Sequence, residues 1–259
     1  MHHLDWLENA AKRRHARQAL LWSVGLTLAL YLIPFGQLLA YPLLLLSTLF
    51  HELGHGLAAV TMGSTFESFV MYADGSGVAR HSGATGPGAA AFIAAGGLVG
   101  PAIVAALAFV FGRSTRGARL FLSIVALGLA VALALVVRNA FGVVFTAAVV
   151  VAFLAIAWRS SPATAQLGLV FVATQLALSV FSRADYLFTD VAHTGAGELA
   201  SDTALMAMAL GGPYWVWGLV CGAFSIAVLA GGVVWFLRVL RDPPRPLLRS
   251  TVASARASD

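Results

Sequence analysis

Apolar residues gather into seven runs along the chain, at 19–36, 38–62, 88–111, 119–137, 141–158, 163–181 and 213–237. A helix needs roughly 20 apolar residues, with about 17–25 tolerated, to cross the hydrocarbon of a bilayer. Each run meets that length or nearly does, so the pattern predicts an all-α polytopic membrane protein of six or seven transmembrane helices. Two polar stretches interrupt it. Residues 63–86 hold an extended run up to Tyr72, an Asp74-Gly75 turn signal and a second short run from Gly77 to His81, which together predict a small β-hairpin. Residues 182–212 form an acidic loop carrying Asp185, Asp190, His193, Glu198 and Asp202, followed by a helical run at 203–210 and a Gly211-Gly212-Pro213 break. At the ends, residues 1–18 read as a basic N-terminal segment and 241–259 as a disordered tail.

Composition decides the solvent. The 259 residues are 59% hydrophobic and 10% charged, whereas soluble domains carry about a quarter charged residues. No water-soluble fold hides that much apolar surface, so the bilayer is the chain's first partner and the cell membrane its expected location, with multiple passes. The net charge of +5 does not point to nucleic acid. Lys12, Arg13, Arg14 and Arg17 precede the first apolar run, and Arg238, Arg241, Arg245 and Arg249 follow the last. Basic residues in those places act as topology signals and contacts to anionic lipid; the N-terminal group favours a cytoplasmic N-terminus. Cys221 is the single cysteine, which excludes an internal disulfide framework and a cysteine metal site. No small-x-small cleavage pattern follows the first run, so no cleaved signal is expected.

One segment carries chemistry. His51-Glu52-Leu53-Gly54-His55 lies inside the run 38–62. On a helix, residues four apart stand about 40° apart and one turn along the axis. Both imidazoles then face one point, at a separation suited to two ligands of a Zn²⁺ ion, with Glu52 placed as general base toward a water. A glutamate within a span is costly and usually marks function. His55 lies about 12 Å from Gly63 along a helix, which sets the site inside the bilayer toward its hairpin side.

With these residues in view, the chain resembles the site-2 protease family of intramembrane zinc metalloproteases, and more closely its short branch without a PDZ domain. The likeness runs over residues 35–215. It rests on HELGH, on the hairpin with its Asp74-Gly75-Ser76-Gly77 turn, and on Ala95-Gly96-Gly97-Leu98-Val99-Gly100-Pro101 opening the next span. Arg138-Asn139-Ala140-Phe141-Gly142 is similar to a further motif of the short branch. The resemblance implies that 19–240 is a membrane-embedded metalloprotease domain acting on transmembrane or membrane-proximal segments of other proteins. It also implies an aspartate as third metal ligand. The family's Asp-Gly pair and Asn-x-x-Pro element are absent; Ser201-Asp202-Thr203 resembles the Ser-Asp-Ala of the short branch. Asp202 therefore ranks first, Asp185 and Asp190 next, and His193 last.

Other residues have two readings. Asn139 is either a helix cap or a contact to substrate backbone. Gly96, Gly97 and Gly100 allow close helix approach. The hairpin is either a plain surface element or an edge to which an unwound substrate adds as a strand. The rival to proteolysis is a non-proteolytic membrane protein with a structural zinc site or a receptor-like role on the same fold.

Overall fold

A computed structural model describes residues 2–83, 86–182 and 184–240. The order is α1 (His2–Leu32), α2 (Gly36–Thr61), a hairpin of β1 (Thr65–Met71) and β2 (Gly77–Ser82), then α3 (Pro87–Phe111), α4 (Thr115–Leu135), α5 (Ala140–Arg159) and α6 (Pro162–Ser182). A 3₁₀ turn at Ala184–Phe188 leads to a second hairpin, β3 (Val191–Thr194) and β4 (Gly197–Ala200), then α7 (Asp202–Leu210) and α8 (Tyr214–Leu237). Among the described residues six helices are long and apolar enough to cross a membrane, namely α2 to α6 and α8. The protein is a multi-pass membrane protein. The seventh apolar run, 19–36, falls on the second half of α1, which continues unbroken from the basic start and packs on α6 and α2. The tail 241–259 lies outside the described residues.

Polar side chains set where the helices begin. Ser114, Asn139 and Ser201 each accept a hydrogen bond from the backbone N–H three residues on, capping α4, α5 and α7. Glycine sets how closely α2 and α3 meet. A Cβ on Gly54 would stand 2.3 Å from the Gly96 carbonyl oxygen, and one on Gly100 would stand 2.8 Å from that of Phe50. The two backbones are therefore in contact beside HELGH, the packing that small residues make possible between membrane helices.

The first hairpin runs back along α2 instead of leaving it. Phe66 lies against Gly56, Thr48 donates to the Gly75 carbonyl at 2.6 Å, and Tyr41 donates to that of Ala73 at 2.7 Å. The tip is closed by Asp74, whose Oδ1 accepts from the Ser76 hydroxyl at 2.6 Å and from its N–H at 2.9 Å. Those two bonds hold the Asp74 carboxyl below the usual carboxylate range. Gly75 turns there with φ +91, a conformation that favours glycine.

The outer edge of β1 is sealed. Phe69 donates to Val136 at 2.7 Å and accepts from the Arg138 N–H at 3.0 Å. Met71 donates to Asn139 Oδ1 at 3.2 Å and accepts from Asn139 Nδ2 at 2.6 Å, while the same Oδ1 takes the Gly142 N–H. Asn139 thus caps α5, the first of its two readings, and its amide also bonds the backbone of β1. Asn139→Ala is expected to destabilise the protein by about 1–3 kcal/mol, because two backbone groups of a half-buried strand lose their partner. Thermal unfolding in detergent measures this, and an unchanged midpoint would contradict it.

Candidate metal centre

Helix α2 brings His51, Glu52 and His55 to one side, and the first residue of α7 meets them there. His51 Nε2 stands 3.0 Å from Asp202 Oδ2, His55 Nε2 stands 3.2 Å from Asp202 Oδ1, and the two Nε2 atoms are 3.2 Å apart. Bonds of about 2.0–2.2 Å at a tetrahedral angle put zinc ligands about 3.4 Å from one another. The separations are of that order, the two to Asp202 being made to its two different carboxylate oxygens. Among the described residues this trio is the group of His, Cys and acidic side chains that could hold a metal ion.

Details of hydrogen bonding agree with such a role. His55 Nδ1 lies 2.8 Å from the Ile93 carbonyl oxygen. A carbonyl can only accept, so Nδ1 carries the proton and the Nε2 lone pair is left facing Asp202 and His51. Asp202 Oδ2 is buried, and its polar neighbour is His51 Nε2 at 3.0 Å. A buried carboxylate is costly unless a donor or a cation meets it; a cation among these ligand atoms would do so.

Asp202 is placed by the cap of its own helix. Ser201 Oγ donates to the Thr189 carbonyl at 2.6 Å and accepts from the Ala204 N–H at 3.1 Å, and Ser201 N–H donates to Asp190. The other candidates lie elsewhere. Asp190 is exposed, and His193 pairs with Glu198 at 3.5 Å on the open surface of the second hairpin. The side chain of Asp185 is outside what the structure describes.

Glu52 is 5% exposed. It is set between the metal trio and the free edge of β2, where the Ala79 N–H faces its carboxylate. Gly77 carries no side chain because the space is taken: a Cβ there would stand 2.7 Å from Glu52 Cγ. The register pairs Met71 with Gly77 and Phe69 with Ala79. Phe69 and Met71 turn their backbone groups away from β2, so in antiparallel pairing Gly77 and Ala79 turn theirs away from β1. Those groups point into a cavity of about 520 Å³ that also holds His51, His55 and Asp202.

Three features escape a reading of the sequence. The first is the second hairpin: the acidic loop of 182–212 folds as β3 and β4, whose turn places Gly195 N–H 2.9 Å from Ser76 Oγ at the tip of the first hairpin. Its signal is the two-residue Gly195-Ala196 link between short runs. The second is Tyr186 in the 3₁₀ turn, whose ring meets that of His51 edge-on at 5.8 Å. The third is the purpose of Gly97, where a Cβ would fall 2.1 Å from His55 Nε2.

A family model described as Peptidase M50B-like matches residues 21–232. No curated protein and no solved structure matches the chain.

Proposed function

The chain belongs to the Peptidase M50B-like family, and from that premise we propose that it is an intramembrane zinc metallopeptidase cutting transmembrane or membrane-proximal segments of other proteins. His51, His55 and Asp202 hold the metal, and Glu52 is the general base. The observation that carries this reading is the convergence of three ligating side chains, with His51 Nε2 3.0 Å from one Asp202 oxygen, His55 Nε2 3.2 Å from the other and the two Nε2 atoms 3.2 Å apart, and with a buried carboxylate one residue from a ligand. A structural zinc site takes four protein ligands, whereas three leave a position open; the trio here favours the catalytic arrangement.

Zinc, when bound, supplies Lewis acidity, lowering the pKa of water toward neutrality and polarising a carbonyl. The chain's own residues do the rest. The outward backbone groups of Gly77 and the carbonyl of Ala79, whose N–H serves Glu52, pair with a substrate segment in extended form. That matters because a scissile bond inside a helix is shielded by its own hydrogen bonding and packing. Glu52 takes one proton from water as the water oxygen bonds to the carbonyl carbon. When the C–N bond breaks, Glu52 returns that proton to the leaving nitrogen, so one water is consumed and both new ends are complete.

Asp202→Ala is expected to lower zinc affinity at least tenfold and to abolish cleavage, since the metal loses its one anionic ligand. Zinc content of the purified protein, read beside cleavage of membrane-spanning peptides in vesicles, tests this. Full zinc retention in Asp202→Ala would remove Asp202 from the ligand set.

A further inference from the structure

His51 and Glu52 stand where two cavities meet, while His55 and Asp202 face the second alone. One, of about 390 Å³, carries several hydroxyl groups, among them those of Ser47, Thr48, Ser179, Thr189 and Ser225. The other, of about 520 Å³, extends between the first half of α3 and α7, where its walls are Ala90, Ile93 and Ala94 on one side and Leu205, Met208 and Ala209 on the other. His51, Glu52, Gly77 and Tyr186 line both. A substrate backbone seated on β2 would therefore have the hydroxyl-bearing recess to one side and, to the other, the chamber between α3 and α7 whose walls are aliphatic.

We propose that the apolar chamber receives one large apolar side chain of the substrate, adjacent to the bond that is cut, with Ala90 and Met208 setting its size. This rests on the peptidase reading above. Three observations carry it. First, Ala90 on the α3 wall is small and exposed to the chamber, whereas Ala94, a turn further on, is buried in one cluster with Met206 of α7. Second, Leu205 is 42% and Met208 68% exposed, leaving apolar surface uncovered by protein beside the site. Methionine's unbranched chain adapts to what it meets. Third, the chamber is continuous with the free edge of β2. In a strand laid on that edge, alternate side chains point to opposite faces, and those on one face are directed to α3 and α7. A polar side chain there would give up its hydration without a partner among these six walls.

The chamber therefore selects for bulk and apolarity at one position of the substrate. Discrimination of this kind runs at roughly 10–200-fold for each methylene that a pocket does or does not accommodate. The full chain, reconstituted in vesicles, is given membrane-spanning peptides that differ only in the residues flanking the cut: alanine, leucine, phenylalanine or serine. At one flanking position the wild-type protein should cleave the leucine peptide at least tenfold faster, in kcat/KM, than the alanine or serine peptide. Ala90→Leu fills the chamber and should cut that preference at least tenfold with zinc content unchanged. Met208→Ala enlarges it and should shift preference toward phenylalanine. Wild-type cleavage indifferent to both flanking residues overturns the proposal, as does an unaltered preference in both variants; an acyl chain occupying the chamber gives that second result. If Ala90→Leu fails to fold, judged by zinc content and thermal unfolding, Met208→Ala decides alone. Zinc-loaded wild-type protein that cleaves none of the peptides defeats the peptidase reading itself and this proposal with it.

Discussion

Glu52→Gln is expected to lose cleavage by about 10³–10⁴-fold, the upper part of what a positioned proton carrier contributes, while zinc stays bound. The amide has nearly the shape of the carboxylate, so it fits the space bounded by Gly77 and the Ala79 N–H and leaves the packing of α2 against the hairpin intact. What it lacks is a site basic enough to take a proton from water and carry it to the leaving nitrogen. Metal content separates this variant from those at the ligands. His51, His55 and Asp202 supply the converging atoms and Glu52 does not, so Gln at 52 should leave metal binding as it is, whereas Ala at 51, 55 or 202 should lower it. Cleavage near the wild-type rate in Glu52→Gln would take the proton-transfer role away from this residue. Loss of metal together with cleavage would make Glu52 part of the ligand set.

The parts of this site that were legible in the sequence are those whose physics is local. His51 and His55 share a face because four residues make one helical turn, and the hairpin announced itself through Asp74-Gly75 between two extended runs. The remaining parts depend on contacts across long separations. Nothing near residue 202 says that Ser201 will find the Thr189 carbonyl and so aim Asp202 at α2. Asp185 and Asp190 offer the same chemistry a short distance away. Asn139 is half legible: its cap to Gly142 is a local pattern, but its two bonds to Met71 join residues 68 apart in sequence. The second hairpin hides in the sequence because its strands have four residues each, too short for an alternating pattern to stand out. Gly96, Gly97 and Gly100 were visible as a small-residue stripe, but such a stripe serves plain packing as well as it serves a site. Which glycine does which became clear only with α2 laid against α3.

Gly97 provides the sharpest test of that last point. Gly97→Ala is expected to lower zinc affinity by about 100-fold or more, and cleavage with it, through a single methyl group that touches no substrate. The added Cβ would lie 2.1 Å from His55 Nε2 and 2.2 Å from its Cε1, far inside van der Waals contact. The imidazole cannot turn aside without giving up the 2.8 Å bond from Nδ1 to the Ile93 carbonyl, which lies on the same helix as residue 97. Nor can α3 draw back as a body without opening the close backbone packing it makes with α2 at Gly54 and Gly96. The strain falls on the ligand atom itself: losing a group that merely orients a metal ligand typically costs about 10–100-fold in affinity, and displacing the ligand atom directly stands at or beyond the upper end. Gly128→Ala supplies the control: a Cβ at that α4 position meets nothing, and alanine there should leave zinc binding and cleavage unchanged while favouring the helix slightly. Zinc titration of both variants in detergent, with thermal unfolding of the apo forms to confirm that each still folds, reads the outcome. Equal zinc affinity in Gly97→Ala and Gly128→Ala would mean that the His55 ring is not held where the metal needs it.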